Sequence, residues 1–403
     1  MSKLYNIIII GSGPAAYTAC LYTKHKNPLL LRGSSSIGGQ LTTTTTVDNY
    51  PGFPEGVDGP ELMDLMYERL IKENGKSGDE FLNSGENSDC NVENVNSDST
   101  VNSNENVDNE NNGDNSSGNF SDNKNGIVNN GDCNVDNNNS TVNNDVNVDN
   151  NNSTVNSSDG TINNINNNNK IQIKDETVTL LEKQDTIFTI KTTKSTYKTK
   201  SVIIATGATA RKLQVPGSDT YWTKGISACA VCDGYFYMQK TCAVIGGGDA
   251  AMEEVLFLSK ICKKVYLIHR RHEFRSRQDK LNEVRNTNNI EIIVPYNLIE
   301  CKGNKLLNSI KIINTENNEI KNLEIDGLFY GIGHDPNTSF VSDKLNILDN
   351  EKYVDVDACM KTNVDGVFAC GDVCDKVYRQ GVTAAWMGCV AGIECSKWVD
   401  KIE

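Results

Sequence analysis

The strongest constraint in this chain is a layout that occurs twice: a short apolar run rich in β-branched residues, a glycine-rich turn, then a helical stretch. In the first copy Tyr5 to Ile10 runs into Gly11-Ser12-Gly13-Pro14-Ala15-Ala16, with helix-like Tyr17 to Lys24 behind it. In the second, Thr241 to Ile245 runs into Gly246-Gly247-Gly248-Asp249-Ala250-Ala251, with a helix expected through Lys260. Such a turn needs glycine first for tightness, glycine third so that a pyrophosphate can approach the backbone, and a small residue where the helix packs on the strand. The helix N-terminus then offers free N–H groups to phosphate. Further apolar runs at Pro28 to Leu31, Ser201 to Ala205, Lys264 to His269 and Gly366 to Ala369 are separated by helix-like segments. This alternation predicts an α/β fold with two Rossmann-like, doubly wound units, each holding one dinucleotide.

Residues just past the second strand of each unit meet the adenosine ribose and so distinguish the ligands. In the second unit they read His269-Arg270-Arg271-His272-Glu273-Phe274-Arg275, three guanidiniums where a 2′-phosphate would sit. Arginine forks match phosphate, which predicts NADPH rather than NADH, held by Arg270, Arg271 and Arg275 together with Gly246, Gly248, Asp249 and Ala250. In the first unit the equivalent position is Arg32, where an acid is common. Other features there suit FAD. Gly38-Gly39-Gln40-Leu41 can bring backbone and an amide to a flat ring, and the strand Gly366 to Ala369 leads to Gly371-Asp372, whose carboxylate can accept from a ribityl hydroxyl.

Between the units lies Ser227-Ala228-Cys229-Ala230-Val231-Cys232-Asp233-Gly234. A Cys-x-x-Cys in an α/β frame reads as a redox dithiol. Half of a zinc site would need a second pair, and the nearest, Cys370 and Cys374, overlaps the Gly-Asp motif; an inert buried pair is the other alternative. His269 and His272 sit among arginines that repel a cation, and no metal is expected. Two-electron chemistry connects the parts: hydride from NADPH to flavin, electrons to the disulfide, and outward exchange from the dithiol. Asp233 is a candidate proton carrier if burial moves its pKa toward neutrality.

The formal charge of −14 is misleading, because Ser84 to Asn169 holds 33 Asn, 14 acidic groups and one Lys, and so accounts for −13. The nine-residue string Val135 to Asn143 recurs letter for letter at Val148 to Asn156, the mark of repeat expansion. So little apolar surface cannot offset the ordering entropy, so a disordered surface loop is expected, tolerated because lengthening a loop costs little. The alternative is a self-associating or partner-binding segment. The near-neutral remainder offers no basic stripe for nucleic acid, and no apolar run is long enough to span a membrane. Without a signal-peptide layout, a cytoplasmic protein is expected. The 13 cysteines do not form the dense framework of a small secreted domain.

These residues together resemble the low-molecular-weight, bacterial and fungal type of NADPH-dependent thioredoxin reductase. The shared strings are Gly11 to Ala15, Gly38 to Thr44, Asn49-Tyr50-Pro51-Gly52-Phe53, Ala205 to Ala208, Ser227 to Gly234, His269-Arg270-Arg271 with Arg275, Gly331 to His334 with Pro336-Asn337, and Gly366 to Val373 followed by Tyr378-Arg379-Gln380. The resemblance implies a FAD domain from both chain ends (1–215 and 335–403), an inserted NADPH domain (216–334), and a homodimer that reduces thioredoxin. It implies that Ser12, Gly13, Pro14, Ala15, Gln40, Asn49, Asp372, Arg379, Gln380 and Gly381 hold FAD. It further implies that Cys229 and Cys232 form the redox disulfide with Asp233 as its acid, and that the NADPH domain swivels on linkers near Val215 and His334; by position Cys232 is expected to face the flavin. Gly381 stands where Ala is expected. Trp386-Met387 replace small residues, with Trp386 expected either to pack on a neighbouring subunit or to narrow the flavin pocket. The insertion is expected between a helix and a strand around Thr177 to Leu181. An oxidase of small dithiols would not need the arginine cluster, a ferredoxin-coupled relative would not need the dithiol, and an interaction protein built on the Asn-rich segment would lose its function with that segment.

Overall fold

In the computed structural model the described residues are 3–34, 37–44, 46–73 and 170–403; the Asn-rich window, expected to be a disordered loop, lies outside them. From the start of the chain, β1 (Leu4–Ile10) passes through the first glycine turn to α1 (Pro14–Thr23) and β2 (Leu29–Leu31). A hairpin, β3 (Thr46–Val47) with β4 (Val57–Asp58), precedes α2 (Gly59–Glu73). Beyond residue 169 come β5 (Gln172–Lys174), β6 (Val178–Gln184), β7 (Ile187–Thr192), β8 (Thr196–Ile204) and β9 (Ala208–Ala210). The first strand after the insertion is therefore β5, a few residues earlier than expected.

The second unit begins at β10 (Ile226–Ser227) and the one-turn helix α3 (Ala230–Asp233). It continues with β11 (Thr241–Gly246), α4 (Asp249–Ser259), β12 (Lys264–Ile268), α5 (Gln278–Arg285) and β13 (Ile290–Ile293). An antiparallel sheet of β14 (Tyr296–Gly303), β15 (Leu307–Asn314) and β16 (Ile320–Glu324) is followed by β17 (Gly327–Gly331). The chain then returns through β18 (His334–Pro336) to β19 (Val367–Ala369) and the long α6 (Gly381–Ile402).

The first sheet has the order β5-β2-β1-β8-β7-β6, with β19 also on β8. The pairs β1–β2, β1–β8, β2–β5 and β8–β19 are parallel, whereas β6 and β7 join antiparallel. One edge of β8 is shared, its first half by β7 through Phe188↔Thr199 and its second half by β19 through Ile204↔Ala369. Ile10 is in register with both Leu31 and Ile204, so the parallel strands end together and Gly11, Arg32 and Ala205 follow at one edge. The second sheet, β10-β17-β11-β12-β13, is wholly parallel and likewise lines up Ile245 with Ile268 and Tyr330.

Parallel strands covered on both faces are apolar throughout. Ile7 and Ile9 point into one core with Ala16, Tyr17 and Phe368, while Ile8 and Ile10 point into another with Phe188 and Val202, the period-two alternation of a strand. Cys242 and Val244 alternate with Ala243 and Ile245 in the same way. Across the helices, α6 lies so close to α1 that a Cβ on Gly388 would come within 2.2 Å of the Ala15 carbonyl oxygen. Between the two sheets run β9 and β18, paired antiparallel with His334 opposite Ala210. Arg211 binds Asp335 through Nε (2.9 Å) and Nη2 (2.6 Å) on this two-stranded ribbon.

Candidate active site

The first glycine turn has the shape that its sequence requires. Gly11 has φ +139°, and a Cβ there would lie 2.1 Å from the Ala205 carbonyl oxygen, so no side chain fits. A Cβ on Gly13 would meet nothing within 4 Å, which leaves open space beside the α1 N-terminus, where Pro14 occupies the first turn. Ser12 is buried and its Oγ accepts from the Gly38 N–H at 3.0 Å, which brings the Gly38-Gly39 loop over the turn. The Gln40 amide donates to the Ala208 carbonyl at the start of the ribbon. Gly371 sets Asp372 over α1, a Cβ on that glycine lying 2.9 Å from the Ala15 Cβ. Burial pushes the Asp372 carboxyl up to about 7. The carboxylate has no hydrogen-bond partner among the described residues.

The segment after Asp372 is held by a residue that sequence reasoning missed. Asp375 is buried and accepts from the N–H groups of Val377 (2.8 Å), Tyr378 (2.9 Å) and Arg379 (2.8 Å). This Asx-type turn delivers Arg379, at φ +49°, and Gln380, the N-cap of α6. Its only signal in the sequence is an Asp two to four residues before the segment. A Cβ at Gly381 would touch Leu41 and Tyr50 at 3.5 Å, ordinary contact, so the expected Ala would also fit. Trp386 is 58% exposed and Met387 is the one that enters the core.

The second turn is equally tight. A Cβ on Gly246 would lie 2.3 Å from the Gly331 oxygen, whereas one on Gly248 would meet nothing within 4 Å. Arg270, Arg271 and Arg275 are exposed at the ends of β12 and the following loop, and none forms an ion pair with a described residue. Arg275 N–H donates to the Gly247 carbonyl at 2.8 Å, and the His269 ring stacks on Phe274. Ser276 Oγ is buried without a partner among the described residues. Asp249 accepts from the Arg277 N–H at 2.8 Å and so ties the arginine loop to α4. Ala250 occupies the first turn of α4 beside it. Two titratable groups among the described residues also carry a buried atom without a partner, Glu254 Oε2 on α4 and His334 Nδ1 on the ribbon. Burial raises the Glu254 carboxyl to about 8, and burial with Arg379 and Arg211 nearby lowers His334 to about 4.

Cys229 and Cys232 form a disulfide, half-buried at α3, with Cα atoms 5.3 Å apart. Cys229 Sγ caps α3 by accepting from the Cys232 N–H at 3.2 Å. Burial pushes the neighbouring Asp233 carboxyl above its ordinary value, against the Ser227 hydroxyl, which lowers it. The pair lies against the first unit: Gln380 Nε2 is 3.8 Å from Cys232 Sγ and 3.9 Å from Cys229 Sγ, and Asn49 Nδ2 donates to Gln380 Oε1 at 3.2 Å. Around the pair Val231, Tyr235, Phe236 and Met238 are each more than half exposed. The donor sets suit the expected groups: an open glycine cradle with a lone carboxylate on the first sheet, and a glycine cradle with three unneutralised guanidiniums on the second.

Comparison with known proteins agrees with this arrangement. The profile of the pyridine nucleotide-disulphide oxidoreductase family matches residues 5–388. The thioredoxin reductase of Dictyostelium discoideum is 33% identical over 408 residues, covering 99% of each chain, and that of Debaryomyces hansenii is 33% identical over 412 residues, covering 99% of this chain and 98% of its own. Among solved structures, thioredoxin reductase from Giardia duodenalis superposes with a TM-score of 0.72 at 28% identity, covering 99% of this chain and 100% of its own. The Streptococcus pyogenes enzyme gives 0.71 at 26% identity, with full coverage of both. With two glycine cradles, a disulfide between them and a family match along nearly all its length, the chain belongs to the pyridine nucleotide-disulphide oxidoreductase family.

Proposed function

We propose that this chain is an NADPH-dependent flavoprotein that reduces thioredoxin, with electrons passing from NADPH through FAD and the Cys229–Cys232 disulfide. The observation that carries this reading is the disulfide seated on Gln380 of the first unit while, among the described residues, Arg270, Arg271 and Arg275 of the second stay free for a 2′-phosphate. Residues 1–215 and 335–403 are read as the FAD domain and 216–334 as the NADPH domain. In the first, Ser12, Gly13, Pro14, Ala15, Gln40, Asn49, Asp372, Arg379, Gln380 and Gly381 surround FAD; in the second, Gly246, Gly248 and Ala250 line the pyrophosphate cradle, and Asp249 acts indirectly by fixing the arginine loop. Bound at these edges, NADPH supplies a hydride and FAD relays the electron pair.

The protein residues then do the following. The disulfide takes up two electrons and becomes a dithiol, and Asp233, its carboxyl raised by burial, holds the proton that one sulfur must gain or lose. A thiolate attacks the thioredoxin disulfide, forming a mixed disulfide and releasing one thioredoxin thiolate. The second cysteine attacks the mixed bond, re-forms Cys229–Cys232 and frees the reduced partner. Exposed Tyr235, Phe236 and Val231 offer the apolar surface for that encounter. The β9–β18 ribbon serves as the hinge on which the pair leaves Gln380 for solvent. A homodimer fits the exposed Val382, Trp386 and Ile393 of α6, with half-buried Cys389 between them and Tyr22 of α1 beside it. No helix among the described residues is long and apolar enough to cross a membrane, and a cytoplasmic location fits.

An anaerobic NADPH titration followed in the flavin absorbance bands tests the reading. Wild type is expected to take up about two hydride equivalents per FAD and to be reoxidised by thioredoxin, and Cys232→Ser to take up one and resist reoxidation. Absence of bound flavin, or a reduced protein indifferent to thioredoxin, overturns it.

A further inference from the structure

We propose that the side-chain amide of Gln380 is a thiolate-stabilising group for the Cys229–Cys232 pair, aimed by Asn49. The inference rests on the redox reading of that pair and adds a role beyond cofactor contact for Gln380.

The orientation of the amide follows from its partners. Gln380 Nε2 lies 3.0 Å from the Tyr378 carbonyl oxygen, which can only accept, so this end must be the NH2. Gln380 Oε1 lies 3.2 Å from Asn49 Nδ2 as acceptor to that donor. With both ends assigned, the NH2 is the group that reaches the two sulfurs, at 3.8 and 3.9 Å. The backbone adds to the fix, since Gln380 N–H donates to Thr383 Oγ1 at 3.3 Å and its carbonyl accepts from the same hydroxyl at 3.0 Å.

The chemistry of the two redox states gives this placement its direction. A sulfur in a disulfide is a weak acceptor, whereas a thiolate is charged and strengthens any N–H donor aimed at it. The same amide therefore gains most once the bond is broken, and it favours the product of reduction over the disulfide. The donors converge unequally. Cys229 Sγ has two, Gln380 NH2 and the Cys232 N–H at 3.2 Å. Cys232 Sγ lies 3.8 Å from both ends of the amide, so it finds a donor as thiolate and an acceptor as thiol. Because Gln380 belongs to the first unit, this stabilisation exists only while the pair is seated there and is given up when the pair departs.

The test is the pH dependence of iodoacetamide alkylation of the reduced holoprotein, with each cysteine followed by peptide mass spectrometry. The charged and titratable groups around the pair are Asp233 and Tyr237 on its own segment, Asp48 near Asp233, and Arg379 beside Gln380; all are kept. Gln380→Ser retains a good N-cap for α6 but cannot reach the sulfurs. It is expected to raise the midpoint of Cys229 alkylation by about one pH unit, a tenfold loss of thiolate at pH below it. Asn49→Ala leaves the cap untouched, frees the amide to turn, and is expected to shift the midpoint in the same direction by less. Midpoints that stay with wild type in both variants overturn the role of Gln380 while leaving the redox pair intact. A wild-type disulfide that NADPH cannot reduce removes the redox reading and this inference with it.

Discussion

Arg32 Nε lies 2.8 Å from Asp175 Oδ1, and the guanidinium also sits 4.1 Å from the Tyr67 ring centroid. The residue that breaks the acidic pattern at the end of β2 thus brings its own acid, supplied just past β5, 143 residues later. Its charge is neutralised, whereas Arg270, Arg271 and Arg275 have no acid among the described residues, and on this contrast rests the proposed 2′-phosphate site of the second sheet.

Replacing Arg270 and Arg271 with Ala should therefore weaken NADPH by about 1.5–3 kcal/mol for each guanidinium removed from the phosphate, and NADH hardly at all. Comparing KM for the two coenzymes checks this; equal weakening of both would remove the assignment.

Glu254 has a folded pKa of about 8 against an ordinary 4.5. Between those values the folded chain keeps a proton that the unfolded chain has released, so stability falls as pH rises through that window. Glu254→Gln should flatten this decline and gain about 3 kcal/mol at pH 8 relative to pH 5, since nearly three pH units at about 1.4 kcal/mol each separate the two conditions. Denaturant melts of the two proteins at both pH values measure the difference, and parallel curves would contradict it.

Trp386 anchors the apolar stripe on α6. A charge at its centre, Trp386→Glu, should convert the proposed dimer to monomer in analytical ultracentrifugation with thermal stability of the monomer nearly unchanged. A wild type that sediments as a monomer would contradict the interface.

Exchanging residues 84–169 for a short Gly-Ser linker should leave NADPH-dependent turnover near the wild-type value, since every residue of the candidate site lies outside that window. A loss of more than about tenfold would point to a role for the segment in catalysis or assembly.

What the sequence revealed was what is local. The glycine turns, their strands and the Cys-x-x-Cys depend on neighbours within a few residues, and the structure places Gly11, Gly246 and Cys229 as their motifs demand. Contacts across long stretches of chain were not legible. Nothing in the sequence pairs Arg32 with Asp175, or joins Gln380 to a disulfide 148 residues before it. Nor does the spacing of the second glycine motif announce that Asp249 accepts from the Arg277 N–H, 28 residues further on. Glu254 and His334 are ordinary letters in the sequence, and only tertiary burial makes them unusual.

The division of one edge of β8 between β7 and β19 has a consequence for biosynthesis. The second sheet has all five of its strands once Gly331 has been made, but the first cannot be finished until Ala369 reaches β8 and α6 settles on α1. During translation the later-starting unit can thus be complete while the earlier one still exposes half a strand edge and the face of α1 that Gly388 will cover. Chaperone dependence should accordingly track the interval between the emergence of residues 331 and 402, and ribosome-stalled chains ending between them are the species in which to look for it.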